Sequence, residues 1–324
     1  MQRVLTLLAL SLAATGCGAQ PYLLGTRGTY LFTARDVLAR PGEVIELSAR
    51  LQGGDFLQDR PGYVVVFTGE ALSPRAAQTG EDGLATATWT PPAPADYAWE
   101  VRVSPTGLGH ELPEPQTLLV ACREADEPMA LVDLDRTLVA TGFQTVLVGD
   151  AQPMAGSADV MARLAREHTI VYLTHRPDYF TIKSKAWLRR HGYPRGPVLL
   201  SSISGFLAGS GTYKTQAIAD LRKRFTALGV GIGDKPSDAL AYHANGLGSV
   251  LILQMPATED PEVHLDLAAT LRKLPDEIHA VTDWGEVERA LFDGASFPPA
   301  RLVDRLEREA KRLKTEAEKG GATR

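Results

Sequence analysis

Two kinds of pattern divide this 324-residue sequence, and together they predict a β-sandwich followed by a doubly wound α/β domain built on a parallel sheet. The first half carries short runs rich in β-branched and aromatic residues at 44–51, 63–68, 84–89 and 97–103. Turn pairs such as Pro41-Gly42, Pro61-Gly62 and Asp82-Gly83 punctuate them. The second half alternates buried-type apolar runs with helical stretches, the order that feeds a parallel sheet. Between the two, the polar stretch 122–128 marks a boundary.

Taken in order, residues 1–20 place Arg3 before an apolar run at 4–14 and then small residues ending at Cys17, the layout of an export signal. The run is too short to span a bilayer. Ala14-Thr15-Gly16-Cys17 resembles a bacterial lipobox. The resemblance implies cleavage before Cys17, lipidation of that residue, and an exported protein tethered to the cell membrane on its periplasmic or outer side. The other reading is a cleaved secretory signal with a Cys17–Cys122 bridge, which an oxidising compartment would permit.

Residues 28–121 are read as the sandwich, with Trp89, Trp99 and Val101 in its core, and 83–89 resembles strands of bacterial immunoglobulin-like domains. In the α/β domain, assigned to 128–295, strands are expected at 129–132, 169–173, 197–200, 228–232 and 249–253. Helices are expected at 157–168, 178–191, 212–227 and 237–245. Ser157, Asp178 and Ser237 stand as N-caps, and Gly192, Gly229 and Gly246 fall beyond helix ends. The tail, 296–324, reads as a charged, solvated helix with Leu302 and Leu306 one turn apart, fraying near Gly320.

Composition is that of ordinary globular protein, 44% hydrophobic and 23% charged. A net charge of -5 supplies no basic surface for a nucleic-acid backbone, so nucleic-acid binding is excluded as the expected role; a small phosphorylated ligand is not.

Chemistry collects at the carboxyl ends of strands in an open parallel sheet. The first such strand leads into Asp133-Leu134-Asp135-Arg136-Thr137-Leu138, where alternation along extended chain brings both carboxylates toward one side. Two carboxylates so close repel, and a divalent cation relieves the repulsion; hard oxygen ligands suit Mg²⁺. The second strand ends at Thr174, able to hydrogen-bond a phosphate oxygen, followed by His175 and Arg176. Lys214 stands near the start of a helix, where a cation offsets the charge of a transferring phosphoryl group. Gly233-Asp234-Lys235-Pro236-Ser237-Asp238 ends a later strand and brings further acids.

In that order, these features resemble the four motifs of the haloacid dehalogenase superfamily, over about 128–253. The resemblance implies a Rossmann-like phosphatase domain in which Asp133 attacks phosphorus to form an aspartyl phosphate. Asp135 then protonates the leaving alkoxide and activates water. It further implies Mg²⁺ held by Asp133, the Asp135 backbone carbonyl and Asp234, with Asp238 in support, while Thr174 and Lys214 hold phosphoryl oxygens. Thr137 completes the first motif and is assigned to the substrate with Arg176, whose other reading is a partner for a nearby acid. The position after Asp135, commonly Gly in that superfamily, is Arg136 here.

The intervals from Asp135 to Thr174 and from Thr174 to Lys214 leave no room for a large lid, so the site is expected to be open and suited to substrates presented on a bulky surface. The segments 172–177, 196–201 and 233–242 resemble lipin-type phosphatidate phosphatases and the related terminal domain of membrane-associated phosphatidylinositol transfer proteins. Phosphatidate or another lipid phosphate is therefore the expected substrate. A broad phosphomonoesterase of soluble esters and a non-catalytic phosphatidate-binding module are the alternatives.

Overall fold

The computed structural model describes residues 24–321 apart from 27, 55–56, 71, 106–110, 142–150, 203–205 and 207–208. The export segment and Cys17 lie outside the described residues.

Among the described residues nine strands make the amino-terminal half: β1 (Tyr30–Ala34), β2 (Val37–Ala39), β3 (Ile45–Gly53), β4 (Gln58–Asp59), β5 (Val64–Gly69), β6 (Arg75–Gln78), β7 (Leu84–Trp89), β8 (Ala95–Val103) and β9 (Gln116–Cys122). β3 pairs antiparallel with β1, β4 and β7 in one sheet, and the other runs β2-β9-β8-β5-β6. The link from β1 to β2 carries the chain from one sheet to the other, where β2 joins β9 in parallel. Alternate residues of β3, β5 and β8 point between the sheets, burying Leu47, Ala49, Leu51, Val65, Phe67, Trp99 and Val101 in one cluster. Trp89 and Trp99 meet edge to face at 5.2 Å, which makes both core residues.

The second half holds one six-stranded sheet, ordered β12-β11-β10-β13-β14-β15, all parallel. Its strands are β10 (Met129–Val132), β11 (Thr169–Pro177), β12 (Val198–Ser201), β13 (Leu228–Gly233), β14 (Gly248–Ile252) and β15 (His279–Val281). The helices are α1 (Ser157–Leu164), α2 (Thr181–Arg190), α3 (Ser210–Arg222), α4 (Pro236–Ala244), α5 (Pro261–Leu271), α6 (Trp284–Phe292) and α7 (Ala300–Gly321). They cover both faces. Ala130 and Val132 of β10 lie in the cluster with Met161, Trp187 and Trp284, whereas Met129 and Leu131 lie with Ile218, Leu221 and Tyr242 on the opposite face. Counted within this domain the strand order is 3-2-1-4-5-6, so the chain reverses its winding between β10 and β13.

Several local expectations are corrected. Gly156, in the left-handed region at φ 76°, stands at the N-cap of α1. Ser157 is the first helical residue; its hydroxyl donates to the Met154 carbonyl and shares a hydrogen bond with the Tyr193 hydroxyl. Asp178 opens a 3₁₀ turn, Asp178–Phe180, and α2 follows at Thr181. Ser237 lies within α4, whose N-cap is Lys235 and whose first residue is Pro236, a ring already set for a first turn. Gly192 and Gly246 do follow helices with positive φ, but Gly229 belongs to β13.

The tail is not a freely solvated helix. Leu302, Val303, Leu306, Ala310 and Leu313 fall on one face at three- and four-residue spacing and are buried, the first three in a cluster with Ala268 and Leu271 of α5. Two intervening acids start helices that the sequence reading passed over: Asp260 caps α5 through the Glu262 N–H, and Asp283 caps α6 through the Glu286 N–H. Among the described residues no helix is long and apolar enough to cross a membrane.

Candidate active site

The register of the sheet brings the motif residues together. Val132 pairs with Tyr172 on one side and with Ile232 on the other, so Asp133, Thr174 and Asp234 leave three neighbouring strands at almost the same height. The Asp133 N–H continues the ladder to the Ile232 carbonyl at 2.9 Å. This is the place where the winding of the sheet reverses, the crevice in which open α/β sheets receive ligands.

Carboxylate oxygens of Asp133, Asp234 and Asp238 lie within 4.8 Å of one another. Asp238 reaches the cluster from the first turn of α4, which runs back along β13 so closely that Gly231 has no space for a side chain: a Cβ there would sit 2.1 Å from the Tyr242 ring. Lys214, from α3, is fully buried and bridges two of the acids, with Nζ 3.1 Å from Asp133 Oδ2 and 2.6 Å from Asp238 Oδ2. Ser210 at the start of α3 donates to Asp238 Oδ1 at 3.3 Å, a partner the sequence reading missed because nothing marks one serine out.

Three carboxylates against one ammonium leave the cluster acidic, and the titration behaviour follows. Burial, with Asp133 beside it, pushes the Asp234 carboxyl up to about 7. Burial raises Asp238 too, against the opposing pull of Lys214. Burial disfavours the charge on Lys214, but Asp133, Tyr242 and Asp238 more than offset it and hold its pKa above the usual lysine range. Asp234 Oδ1 is buried without a hydrogen-bond partner, as is Thr137 Oγ1. An orphaned, buried carboxylate oxygen facing two other acids fits a hard divalent cation, Mg²⁺ above all.

Asp135 stands apart from that cluster. Both its oxygens are taken by Arg176, with Nε 2.9 Å from Oδ2 and Nη2 2.7 Å from Oδ1, while Arg176 Nη1 donates to Ser184 at 3.0 Å. Arg176 is buried, so its guanidinium is committed to an acid, the second of the two roles the sequence left open. The turn between Asp135 and Thr137 shows why glycine suits the position after Asp135. Arg136 has φ 55°, in the left-handed region where glycine is the easy occupant. The peptide N–H groups of Thr137, Leu138 and Val139 then all point at the Leu134 carbonyl. Thr174 is fully buried at the site end of β11 and accepts the Arg176 N–H at 3.3 Å. His175 stacks on Phe206 at 4.9 Å beside Tyr213 and takes no place among the acids.

Comparison with known proteins agrees on one region. Residues 130–252, a little over a third of the chain, match the family model described as the LNS2 domain of PITM 1-3. No curated protein matches the chain. Among solved structures, the CARDB domain of a Pyrococcus furiosus protein in complex with di-metal ions is 15% identical, covering 29% of this chain and 86% of that one, with a TM-score of 0.22. A putative alpha-galactosidase of Bacteroides fragilis is 13% identical over 81% of this chain and 54% of its own, with a TM-score of 0.21. A Bifidobacterium dentium beta-glucuronidase complexed with coumarin-3-O-glucuronide is 8% identical over 78% and 52%, with a TM-score of 0.26. The chain thus spans about half the length of the two glycosidases, and superpositions at these scores carry no functional argument.

Proposed function

We propose that the α/β domain is a Mg²⁺-dependent phosphatase of the haloacid dehalogenase type that hydrolyses phosphatidate or another lipid phosphate. The observation that carries the reading is the orphaned Asp234 oxygen, set with Asp133 and Asp238 at the reversal point of the sheet. The LNS2 match over the same residues supports the lipid phosphate as substrate class. Asp133, Asp234 and Asp238 would hold the cation, with the Asp135 carbonyl alongside, and when bound it would neutralise charge gathering on the phosphoryl oxygens.

In the first half-reaction a carboxylate oxygen of Asp133 forms a bond to phosphorus, the phosphorus–oxygen bond to the alcohol breaks, and the leaving oxygen takes a proton from Asp135. In the second, water gives a proton to Asp135 as its oxygen bonds phosphorus, and the Asp133 carboxylate departs. Thr137, Thr174 and Lys214 surround the transferring group: Thr137 Oγ1 has no other partner to lose, and Lys214 supplies positive charge from a fully buried position. Arg176 orients Asp135 rather than touching phosphate, and one of its two contacts must open before Asp135 can carry a proton on that oxygen.

The sandwich, whose parallel β2–β9 pair and sheet-crossing first strand support an immunoglobulin-like assignment, stands between the lipidated Cys17 and the catalytic half. A lipid anchor would hold the open site near a membrane surface and raise the local concentration of substrate there.

A second reading, a phosphatidate-binding module without turnover, draws on the grip of Arg176 on both oxygens of Asp135. One experiment separates the two. Phosphate release by the protein lacking residues 1–17 is measured with Mg²⁺ or EDTA, on phosphatidate in mixed micelles, an aryl phosphate and nucleotides. Metal-dependent turnover concentrated on phosphatidate and lost in Asp133→Asn is expected. Comparable turnover of the soluble esters would replace the lipid substrate by a broad one, and vesicle binding with no release from any ester would leave the binding module.

A further inference from the structure

A second cluster of charge lies where the two halves meet, beside the carboxyl end of β11. Asp178 is only 4% exposed, and it is flanked by two arginines of the sandwich. Arg35, in the link between β1 and β2, makes a close ion pair with its Oδ2, and Arg50 of β3 stands 3.7 Å from the same oxygen. Both arginines are carried on fixed backbone: Arg50 is paired with Thr33 and Leu84 in the sheet, and the Arg35 N–H is bonded to the Ser48 carbonyl at 3.1 Å. Asp178 in turn anchors a turn, its carbonyl accepting the Thr181 hydroxyl, and Phe180 beside it packs on Leu24 and Leu31 from the sandwich.

The segment held in this way is short. Asp178 is four residues from Thr174 and two from Arg176, and Arg176 is the residue that grips Asp135. We propose that Arg35 and Arg50 are positioning residues for the carboxyl end of β11. By gripping Asp178 they set the segment 174–178 and, through Arg176, the orientation of the Asp135 carboxylate, so that turnover depends on two arginines supplied by the other half of the chain. The proposal rests on the phosphatase reading for its consequence in turnover, but not for the geometry of the loop.

The two halves do not rely on this contact to stay together. Asp36 takes Lys185 at 2.6 Å and the Val198 N–H at 3.0 Å, Arg224 bonds Glu43 and the Leu38 carbonyl, and Leu38, Leu119 and Ala121 share a cluster with Leu131 and Val171. Docking therefore survives loss of the arginines, and positioning can be tested apart from it.

The test compares the full chain with Arg35→Ala/Arg50→Ala, Arg35→Lys and, as a docking control away from the loop, Arg224→Ala. With Mg²⁺ and phosphatidate in mixed micelles, the double variant is expected to lose about 10-fold or more in kcat with KM within about 3-fold, because a shift of a fraction of an ångström in a proton-transfer group costs that much. Arg35→Lys keeps most of the rate, and Arg224→Ala keeps all of it. Amide exchange supplies a readout that needs no turnover: peptides covering 174–181 exchange roughly 10-fold faster in the double variant, while those covering 118–122 are unchanged. Unaltered exchange at 174–181 would overturn the proposal, as would an equal fall of kcat in Arg224→Ala. A wild-type chain without turnover but with the expected exchange difference would leave the positioning intact and remove the phosphatase reading instead.

Discussion

Two aspartates, one in each half, have opposite surroundings. Asp36 of the sandwich is saturated: its oxygens accept the Leu119 N–H at 2.8 Å, the Val198 N–H at 3.0 Å and the Lys185 ammonium at 2.6 Å. Asp234 of the α/β half is half-buried beside two other carboxylates, keeps one buried oxygen without a partner and has its pKa pushed up to about 7. A carboxylate that meets its needs within the fold holds the fold together. One that does not is waiting for a ligand, since an unsatisfied buried charge persists only where something outside the chain repays it.

The contrast can be broken by mutation, and the largest effect is expected on chemistry. Asp133→Asn should lower phosphate release by about 10³-fold or more, as loss of a nucleophile does, with no fall in melting temperature in EDTA, because one repelling carboxylate has been removed. A parallel drop in rate and melting temperature would mean that Asp133 belongs with Asp36. Asp36→Ala should do the reverse. It leaves two N–H groups without a partner and Lys185 with only the Ala34 and Thr117 carbonyls, and should cost about 3 kcal/mol in a denaturant titration, while the thermal shift produced by added Mg²⁺ stays as in the wild type.

Asp234 sharpens the comparison through pH. Its folded pKa is raised from 3.8, so in EDTA the folded state holds a proton that the unfolded state releases. The stability this confers is complete below about pH 4 and is lost as pH rises through about 7. Asp234→Asn should flatten that decline, worth roughly 4 kcal/mol across the window, and abolish the Mg²⁺-induced shift. Melting curves from pH 4 to 8 with and without metal check both. The smallest effect is local: Arg136→Gly should stabilise the chain by about 0.5–1 kcal/mol by relieving the left-handed backbone at φ 55°, read from the denaturation midpoint.

Much of this was legible in the sequence where local chemistry decides structure. The apolar run 129–132 is the whole of β10, preceded by Pro128, and 84–89 is the whole of β7, preceded by the turn at Asp82-Gly83. The four motif segments could be placed at strand and helix ends for the same reason. What escaped depends on partners distant in the chain. A buried stripe on α7 hides among arginines and glutamates until α5 lies against it. The commitment of Arg176 to Asp135 spans 41 residues. The contribution of Arg35 and Arg50 spans more than 120 positions and two sheets, with no motif to announce it.

β9 carries a consequence for how the chain can be cut. Leu118 and Val120 face the sandwich interior, while Leu119 and Ala121, on its other side, enter the core shared with Leu131, Val171 and Phe225. A strand with apolar side chains on both faces belongs to two interiors at once, and neither is closed without it. A fragment starting after β9 would open an oily seam along the parallel sheet, and one ending at β9 would carry the matching seam into water. The boundary visible in composition at 122–128 is thus a poor place for scissors, and the two architectures are better regarded as one heritable unit than as interchangeable modules on a string.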